Sequence, residues 1–468
     1  MSFPTSINYM SEDTRAVELS KRIPREFTLG VATASWQIEG DSQGRGRSIW
    51  DDFADIPGNI KDGTKADPAC DHVNRLDQDL DILANLGVDA YRFSVSWPRV
   101  IPGHKKPSAS GIDFYSRLID GLLERNIKPA LTMYHWDLPS ELEEKGGWLN
   151  RDIHNYFAEY ADTLATHFGD RVAMWATLNE PWVSAFLGYA TKMHAPGIGN
   201  PAAGLEAGYR LMTAHGAAMS VLREHKVSQP GTVLNLTQVI AEDAAAADAA
   251  EHLDSLHNKF WLDLLAGRGI DSSLVERTAA LTDWSFVDES QLASISQPID
   301  WLGINYYTPI RVAGTGAGTS TEVQGQDFAL YPGTPAGATM ASREPRTEMG
   351  WEIFAPSITE TLKQTAERLP GVPQYITENG GAFDDKLVDG EIHDADRVDY
   401  YRNHISAALD AIDQGVDLRG YFAWSMMDNI EWAEGLEKRF GIYYVDPINQ
   451  ERLPKDSAKL IQFLATNR

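Results

Sequence analysis

The sequence is poor in cysteine, in long apolar runs and in positive charge. Cys70 is its single cysteine, so the chain cannot form a disulfide bond with itself, and we expect a small, partly buried side chain there. No run of about 18 apolar residues occurs, so no transmembrane helix is predicted. The polar segment 1–21 lacks the apolar core of a signal peptide, and we therefore expect a cytoplasmic protein.

The charge balance narrows the range of partners. With 41 basic and 67 acidic side chains, the 468-residue chain carries a formal net charge of −26. A surface this acidic repels the phosphates of nucleic acids and the headgroups of anionic lipids. We therefore expect no nucleic-acid partner and no membrane partner, while the composition sets no oligomeric state.

Eight short apolar segments, rich in β-branched and aromatic residues, are predicted to be strands. They cover residues 27–34, 90–95, 130–134, 172–178, 232–236, 301–306, 374–377 and 420–424. Between them, apolar side chains recur at spacings of three and four, which is typical of amphipathic helices. The clearest predicted helix runs from Ile153 to Phe168, with Asn150 as its N-cap and Gly169 as its stop.

Strands that alternate with helices are typical of a parallel sheet with helical crossovers. Eight such units predict an α/β protein with a closed (β/α)8 TIM barrel. No low-complexity linker divides the chain, so we expect a single domain over residues 1–468, with about 15–20 poorly ordered N-terminal residues. The chain exceeds the roughly 250 residues of a minimal barrel, so long βα loops are expected over the catalytic face. The clearest is the segment from Gly314 to Arg346, which has little periodicity.

Two of the predicted strands end in a glutamate beside an asparagine. The fourth ends in Thr-Leu-Asn-Glu-Pro (177–181) and the seventh in Ile-Thr-Glu-Asn-Gly (376–380). The carboxyl ends of barrel strands meet at one face, where barrel enzymes carry their chemistry. Hydrolysis of a glycosidic bond with retention needs two such carboxyl groups, one ionised as nucleophile and one protonated. We predict that Glu378 is the nucleophile and Glu180 the acid/base.

These two segments resemble the signatures of glycoside hydrolase family 1, the β-glucosidase family. The resemblance spans nearly the whole chain, including Phe-Thr-Leu-Gly (27–30), Tyr-His-Trp-Asp-Leu-Pro (134–139), Asn-Ile-Glu-Trp (429–432) and Arg-Phe-Gly (439–441). It implies a retaining β-glucosidase that removes terminal β-D-glucosyl residues through a covalent glycosyl-enzyme, without a cofactor. It also implies tolerance of galactosides and fucosides, some transfer of the sugar to alcohols, and a part in cellulose degradation.

The resemblance further implies a set of substrate-binding residues. Amides and carboxylates form hydrogen bonds with the hydroxyl groups at the edge of a pyranose, and indole rings stack on its C–H face. The implied set is Gln37, His135, Trp136, Asn179, Asn305, Tyr307, Trp351, Trp424, Glu431, Trp432 and Phe440. Trp424 is expected to form the platform under the sugar, and Trp351 to stack on the aglycone.

Arg92 and Tyr307 are expected to support the nucleophile. A cation beside Glu378 favours the charged form of that carboxyl group, and Tyr307 is expected to donate a hydrogen bond to it. Asn179 is expected to bond the sugar 2-hydroxyl, a contact that strengthens in the transition state. Lys192 stands where many family members have a glycine, on the expected aglycone side, which leaves the leaving-group preference open.

Four alternative functions stay open at this point. A 6-phospho-β-glucosidase of the same family carries a serine in place of Glu431. It holds the phosphate with a tyrosine, in place of Phe440, and with a lysine, which is present here as Lys438. A non-catalytic sugar-binding relative usually lacks one of the two glutamates. A transglycosidase uses the same intermediate as the hydrolase. A metal-dependent hydrolase is disfavoured, and no metal is expected, because the sequence has no His-Glu-x-x-His segment and no cysteine cluster.

Overall fold

A closed barrel of eight parallel strands forms the centre of the computed structural model, which describes residues 10, 12–104, 106–315 and 328–468. The barrel strands are β1 (Thr28–Ala32), β2 (Ala90–Ser94), β3 (Lys128–Tyr134), β4 (Met174–Asn179), β5 (Pro230–Asn235), β6 (Leu302–Asn305), β7 (Gln374–Asn379) and β8 (Leu418–Trp424). Each strand pairs in parallel with the next, and β8 pairs with β1 from Thr28↔Gly420 to Ala32↔Trp424. The predicted (β/α)8 TIM barrel is confirmed.

One or more helices follow every barrel strand. The α-helices of the described chain are Thr14–Arg22, Ser35–Ile38, Ile49–Ala54, Leu76–Leu86, Trp97–Val100, Ala109–Glu124, Ser140–Glu143, Ile153–Phe168, Pro201–Glu224, Ala247–Asp254, Phe260–Leu265, Ser272–Thr278, Leu292–Ile295, Pro356–Arg368, Ala395–Asp413 and Asp456–Thr466. Two π-helical segments, Val183–Ala190 and Ser255–Lys259, lie after β4 and β5. These wide turns place side chains at the carboxyl end of the barrel, as π-bulges often do at functional sites.

The helix Ile153–Phe168 shows how the sequence pattern becomes packing. Its apolar positions 153, 157, 160, 164 and 168 are all buried, as their spacing predicts. The predicted N-cap is wrong, because the helix begins after Asp152. Asn150 Oδ1 instead accepts a hydrogen bond from the Asp152 backbone N–H at 2.9 Å, which forms a turn just before the helix.

A small three-stranded sheet lies outside the barrel. Val239–Ala241 pairs in parallel with Ile310–Gly314, which in turn pairs antiparallel with Ala338–Ala341. The prediction of an irregular segment from Gly314 to Arg346 is therefore wrong at 338–341, because that strand is defined by a distant partner rather than by its own composition. Residues 316–327 of this segment lie outside the described residues.

Of the 15–20 N-terminal residues that are predicted to be poorly ordered, residues 1–9 and 11 lie outside the described chain. From Thr14 to Arg22 the chain is a helix, and Asp13 caps it by accepting bonds from the N–H groups of Arg15 and Ala16. Within the part that the structure describes, no helix is long and apolar enough to cross a bilayer. Cys70 is fully rather than partly buried, and burial raises the pKa of its thiol.

Candidate active site

A cavity of about 410 Å³ lies at the carboxyl ends of the barrel strands. Most of the predicted site residues line it: His135, Trp136, Glu180, Asn305, Tyr307, Trp351, Glu378, Trp424, Glu431, Trp432 and Phe440. Gln37 and Asn179 are fully buried and are not among its lining residues. The barrel therefore gathers residues that are far apart in sequence, as the strand-end pattern predicts.

The two candidate catalytic carboxyl groups come from opposite parts of the chain. Glu180 directly follows β4, and its backbone N–H bonds the carbonyl of Val233 in β5 at 3.0 Å. Glu378 lies in β7, in register with Asn305 of β6. Both side chains are buried, and neighbouring strands fix the backbone on which each is carried.

Three residues of the cavity have a left-handed backbone. Trp136, Glu180 and Trp432 have φ values of 77°, 47° and 45°. Residues other than glycine rarely adopt this conformation, and where they do so the surrounding structure must hold them there. Such outliers are frequent at functional sites, and three of the twelve in the described chain line this cavity.

Glu378 is held by two hydrogen-bond donors. Arg92 Nη1 donates to Glu378 Oε1 at 2.6 Å, and Tyr307 Oη donates to Glu378 Oε2 at 2.6 Å. Both donors favour the ionised carboxylate. The structure thus brings Arg92 and Tyr307 to the positions that the resemblance implies.

Two asparagines connect Glu378 to Glu180. Arg92 Nη2 donates to Asn179 Oδ1 at 2.6 Å, and Asn305 Nδ2 donates to the same oxygen at 3.0 Å. Asn305 Nδ2 also donates to Glu180 Oε1 at 2.6 Å. One continuous set of hydrogen bonds therefore fixes both carboxyl groups before any substrate binds.

The two carboxyl groups differ in their electrostatic environment. Burial, and next the charge of Glu378, raise the pKa of Glu180 well above its ordinary value. Burial also raises the pKa of Glu378, but Arg92 and Tyr307 oppose that rise. Arg92 thus acts in the predicted direction, although burial outweighs it. Glu180 is the group better suited to keep a proton, and Glu378 the one better suited to lose it.

Unpaired polar atoms surround the two carboxyl groups. Because Asn179 Oδ1 accepts from Arg92 and Asn305, its Nδ2 must donate to His135 Nε2, 3.0 Å away. The proton of the imidazole then sits on Nδ1, a buried donor without a protein partner among the described residues. Burial lowers the pKa of His135 well below its usual range, so the ring is neutral.

Gln37 and Glu431 also present unpaired oxygens. Gln37 Nε2 donates to the carbonyl of Ile430 at 2.7 Å and to Asn429 Oδ1 at 3.1 Å, which directs its amide. Gln37 Oε1 and Glu431 Oε2 have no hydrogen-bond partner within the described chain. Buried polar groups are normally paired, so these atoms indicate a ligand that carries several hydroxyl groups.

Indole rings form the remaining walls of this region. Trp424 ends β8 and lies parallel to His135, with ring centroids 5.8 Å apart. Trp432 stacks on Trp36 at 5.7 Å and contacts Trp136 at 4.4 Å. The rings brace one another, so their faces are rigid surfaces on which a pyranose can stack.

Comparisons with known proteins agree with this geometry. The sequence profile of "Glycosyl hydrolase family 1" matches residues 19–468. The protein belongs to glycosyl hydrolase family 1. Beta-glucosidase A of Thermotoga maritima is 42% identical over 446 residues, which are 93% of this chain and 96% of the relative. A bifunctional beta-D-glucosidase/beta-D-fucosidase of Bifidobacterium breve is 43% identical over 447 residues, with the same two coverages of 93% and 96%.

A solved structure gives the same result. The crystal structure of a psychrophilic beta-glucosidase from Micrococcus antarcticus superposes with a TM-score of 0.92 at 41% identity. The match covers 96% of this chain and 99% of that chain. The family 1 fold therefore covers nearly the whole chain, and the chain is a glycoside hydrolase.

Sequence reasoning missed one wall of the family 1 cavity. The cavity is also lined by Trp182, Leu187, Met193, His257 and Tyr331. They come from π-helical segments and loops, whose paths no local pattern reveals. Lys192 does not line the cavity; it is exposed, and its stem lies along Gly199.

The structure also bears on the alternatives. Within the described residues, no group of three or more His, Cys, Asp or Glu side chains could hold a metal ion. Lys438, a candidate phosphate ligand in a 6-phospho-β-glucosidase, donates to the carbonyl of Glu348 at 2.8 Å and does not line the cavity. Glu431 lines the cavity at the position where a 6-phospho-β-glucosidase carries a serine.

Proposed function

We propose that this protein is a retaining β-glucosidase in which Glu378 is the nucleophile and Glu180 the acid/base. The observation that carries the proposal is the pair of buried carboxyl groups at the ends of β4 and β7. Hydrogen bonds through Arg92, Asn179 and Asn305 join them, and they differ in how readily they ionise. The relatives named above, at about 40% identity over nearly their full length, are described as β-glucosidases.

The first chemical step uses both groups at once. The Glu378 carboxylate attacks the anomeric carbon, the bond from that carbon to the leaving oxygen breaks, and Glu180 gives its proton to that oxygen. The product is a glycosyl ester of Glu378, which carries no charge. Arg92 and Tyr307 hold the attacking carboxylate in place before the step.

The second step follows from the loss of that charge. The charge of Glu378 raises the pKa of Glu180, so esterification of Glu378 lets Glu180 remain ionised. Glu180 then takes a proton from a water molecule while the oxygen of that water attacks the anomeric carbon. The bond from this carbon to Glu378 breaks, and Glu378 leaves as a carboxylate. Two displacements at one carbon restore the β configuration.

The glycone is β-D-glucose in this proposal. The unpaired atoms of Gln37, His135 and Glu431 would bond its hydroxyl groups, and Trp424 would stack on its face. Trp136 would act through Asn179, since its Nε1 donates to the Asn179 carbonyl at 3.0 Å. Acceptance of β-fucosides is supported by the bifunctional relative, and acceptance of galactosides by the small difference between epimers.

Four predictions from the sequence remain predictions and are open to experiment. They are a single domain, a cytoplasmic location, a part in cellulose degradation and transfer of the sugar to alcohols. A 6-phospho-β-glucosidase is the weaker alternative, because Glu431 and Phe440 line the cavity where that enzyme class has serine and tyrosine.

Chemical rescue with azide tests the two roles separately. On an activated aryl β-glucoside, Glu180→Ala still forms the glycosyl-enzyme, so azide should give the β-glucosyl azide. In Glu378→Ala the azide takes the place of the carboxylate, so the product should be the α-glucosyl azide. Glu276→Ala, a change on the exposed face of helix Ser272–Thr278, is the control and should keep full activity without azide. The reverse anomers, or retained activity in Glu378→Ala, would overturn the assignment.

A further inference from the structure

Tyr307 donates to the candidate nucleophile from a position beyond the end of a strand. Strand β6 ends at Asn305, two residues earlier, and the Tyr306 N–H still bonds the carbonyl of Glu378 at 3.0 Å. The carbonyl of Tyr307 lies past these strand contacts. Another element must therefore hold it, if Tyr307 Oη is to stay 2.6 Å from Glu378 Oε2.

Tyr400, on the helix Ala395–Asp413, supplies that contact. Its Oη donates to the carbonyl of Tyr307 at 3.3 Å and accepts a bond from Asn379 Nδ2 at 3.0 Å. Tyr400 is buried, and burial raises the pKa of its hydroxyl well above the ordinary value, so the group keeps its proton and can donate. One hydroxyl therefore joins the residue after the nucleophile to the residue that donates to the nucleophile.

Asn379 has partners for both ends of its amide. Its Nδ2 also donates to the carbonyl of Tyr306 at 2.7 Å, and its Oδ1 accepts a bond from Tyr421 Oη of β8. Asn379 is fully buried, so the loss of any one partner leaves a polar atom away from water, which costs free energy. The end of β7, the segment after β6 and Tyr400 are thus connected as one unit.

His404 fixes the ring of Tyr400 from one helical turn further along. The two rings are stacked with their centroids 3.8 Å apart, and His404 Nδ1 donates to the carbonyl of Tyr400 at 2.9 Å. Burial lowers the pKa of His404 to about 4, so the imidazole is neutral near pH 7 and carries its one proton on Nδ1. The stacked ring leaves Tyr400 little freedom to turn, which gives its hydroxyl a defined direction.

The next residue on the helix makes the same kind of bond to a different part of the site. Tyr401 Oη donates to the carbonyl of Trp424 at 3.0 Å, and Trp424 is the proposed platform under the sugar. Tyr400 and Tyr401 are both buried, and neither lines the cavity. Two adjacent hydroxyl groups in similar surroundings therefore hold two different parts of the site.

We propose that Tyr400 is a positioning residue for the nucleophile, because it holds Tyr307 in place to donate to Glu378. Tyr401 positions the sugar platform through its bond to the carbonyl of Trp424. The inference rests on the proposed β-glucosidase function, in which Glu378 attacks and Trp424 stacks. It adds two residues that act on the reaction without contact to the substrate.

The pH–rate profile reports the first part of the proposal. Among the described residues, the charged and titratable groups that face Glu378 are Arg92 of β2, Glu180 after β4, Tyr307 after β6 and Glu431 after β8. Tyr400 bonds the backbone of Tyr307, whose hydroxyl lowers the pKa of Glu378. In Tyr400→Phe that pKa should rise, so the acid limb of kcat/KM should move to higher pH by a few tenths of a unit. At neutral pH, kcat/KM for an aryl β-glucoside should fall about threefold to tenfold, the range that one neutral hydrogen bond contributes.

Tyr401→Phe is the matched variant, since it removes the same atom from the adjacent residue. It should raise the Ki of isopropyl 1-thio-β-D-glucoside, an unreactive analogue of the substrate, about threefold to tenfold and leave the acid limb in place. Tyr400→Phe should leave this Ki unchanged. Both variants lose one buried hydroxyl, so a loss of stability alone would affect the two alike.

A double variant shows whether Tyr400 acts through Tyr307. Tyr307→Phe removes the donating hydroxyl itself, so its acid limb should move further than that of Tyr400→Phe. Addition of Tyr400→Phe to Tyr307→Phe should move the limb no further, because the contact that Tyr400 maintains is already absent. Additive movements would overturn the route through Tyr307.

The outcomes separate this inference from the proposed function. An unmoved acid limb in Tyr400→Phe, with a moved limb in Tyr307→Phe, would overturn the role of Tyr400 and leave Glu378 as the nucleophile. An unmoved limb in both would count against Glu378 as well. An unchanged Ki in Tyr401→Phe would overturn the second part. If Tyr400→Phe does not fold, His404→Leu replaces it; the limb should move in the same direction by less, and no movement would overturn the role of Tyr400.

Discussion

Two groups of charged side chains lie in and beside the carboxyl end of the barrel, and they differ in charge balance. The group in the cavity contains Glu180, Glu378 and Glu431, together with Arg92, which lies behind the lining and bonds Glu378; the lining also includes the ion pair Lys61–Glu434. The other group contains three aspartates and three cations beneath the loops that follow β7 and β8: Asp385, Asp394, Asp428, Arg397, Arg439 and Lys455. The cavity group has more acids than bases, while the peripheral group is balanced.

In the balanced group every charge has an opposite partner. Arg397 bonds Asp394 at 2.6 Å and Asp385 at 2.7 Å, and Lys455 bonds Asp385 at 2.6 Å and Asp428 at 2.7 Å. These contacts lower the pKa of Asp385 despite its burial, whereas burial still raises the pKa of Asp394. The group joins the start of the last helix to both loops, including the one that carries Glu431 and Trp432. Its role is to hold that loop in place.

In the cavity group the acids outnumber the cations, and their pKa values rise. Burial raises the pKa of Glu431 to about 8, with the charges of Glu378 and Glu434 adding to the rise. Such an arrangement costs stability, but it keeps protons available near neutral pH. A balanced set of buried charges therefore maintains the fold, and an excess of buried acids supplies the chemistry.

Removing the cation from the cavity group should give the largest effect. Arg92→Met leaves Glu378 with Tyr307 as its remaining donor, so the pKa of Glu378 rises further. We expect kcat to fall about 10²–10³-fold, the usual cost of losing one such electrostatic partner. The acid limb of the pH–rate profile should move to higher pH, because Glu378 must be ionised to attack. A fall in rate without that movement would argue against a role for Arg92 in keeping Glu378 ionised.

Removing a cation from the balanced group should affect stability more than chemistry. Lys455→Met leaves Asp385 and Asp428 with one partner fewer in a buried site, which should lower the free energy of unfolding by about 3–5 kcal/mol. Thermal unfolding would measure it. Arg419→Met breaks an exposed pair with Asp417 and should cost no more than about 1 kcal/mol. Equal losses in the two variants would contradict the comparison.

Neutralising an acid of the cavity should stabilise the fold at high pH. An unfolded glutamate titrates near about 4.3, whereas Glu431 in the fold titrates at about 8. Stability from this group is thus fully present below the lower value and is lost as the pH rises through the upper one. Between about pH 5 and about pH 9, the melting temperature of Glu431→Gln should fall less than that of the wild type. Identical pH dependence of the two melting temperatures would show that folding does not raise the pKa of Glu431. The exposed control, Glu276→Gln, should follow the wild type.

The smallest predicted effect concerns the orientation of one amide. Thr377 Oγ1 donates to Asn305 Oδ1 at 2.7 Å, which turns Asn305 Nδ2 toward Glu180. That bond lowers the pKa of Glu180. Thr377→Val should weaken it, so the alkaline limb of the pH–rate profile should move up by a few tenths of a unit. Thr359→Val, which removes a buried hydroxyl far from the cavity, should leave the limb unchanged.

The sequence predicts what local patterns determine. All eight barrel strands and the positions of Glu180 and Glu378 follow from short apolar runs that end in polar residues. The strand at 338–341 and the wall formed by His257 and Tyr331 depend on partners about 30 to 75 residues away, so no local pattern shows them. The N-cap predicted at Asn150 is wrong for a different, local reason, because the turn that Asn150 forms with Asp152 competes with capping.

The most direct test of the account is to trap the covalent intermediate. The reagent 2-deoxy-2-fluoro-β-D-glucosyl fluoride forms the glycosyl-enzyme readily and releases it slowly, so digestion and mass spectrometry can locate the modified residue. We predict one fluoroglucosyl group per chain, on Glu378, with loss of activity that matches the labelling. A label on Glu180 or Glu431, or inactivation without any label, would contradict the assignment of the nucleophile.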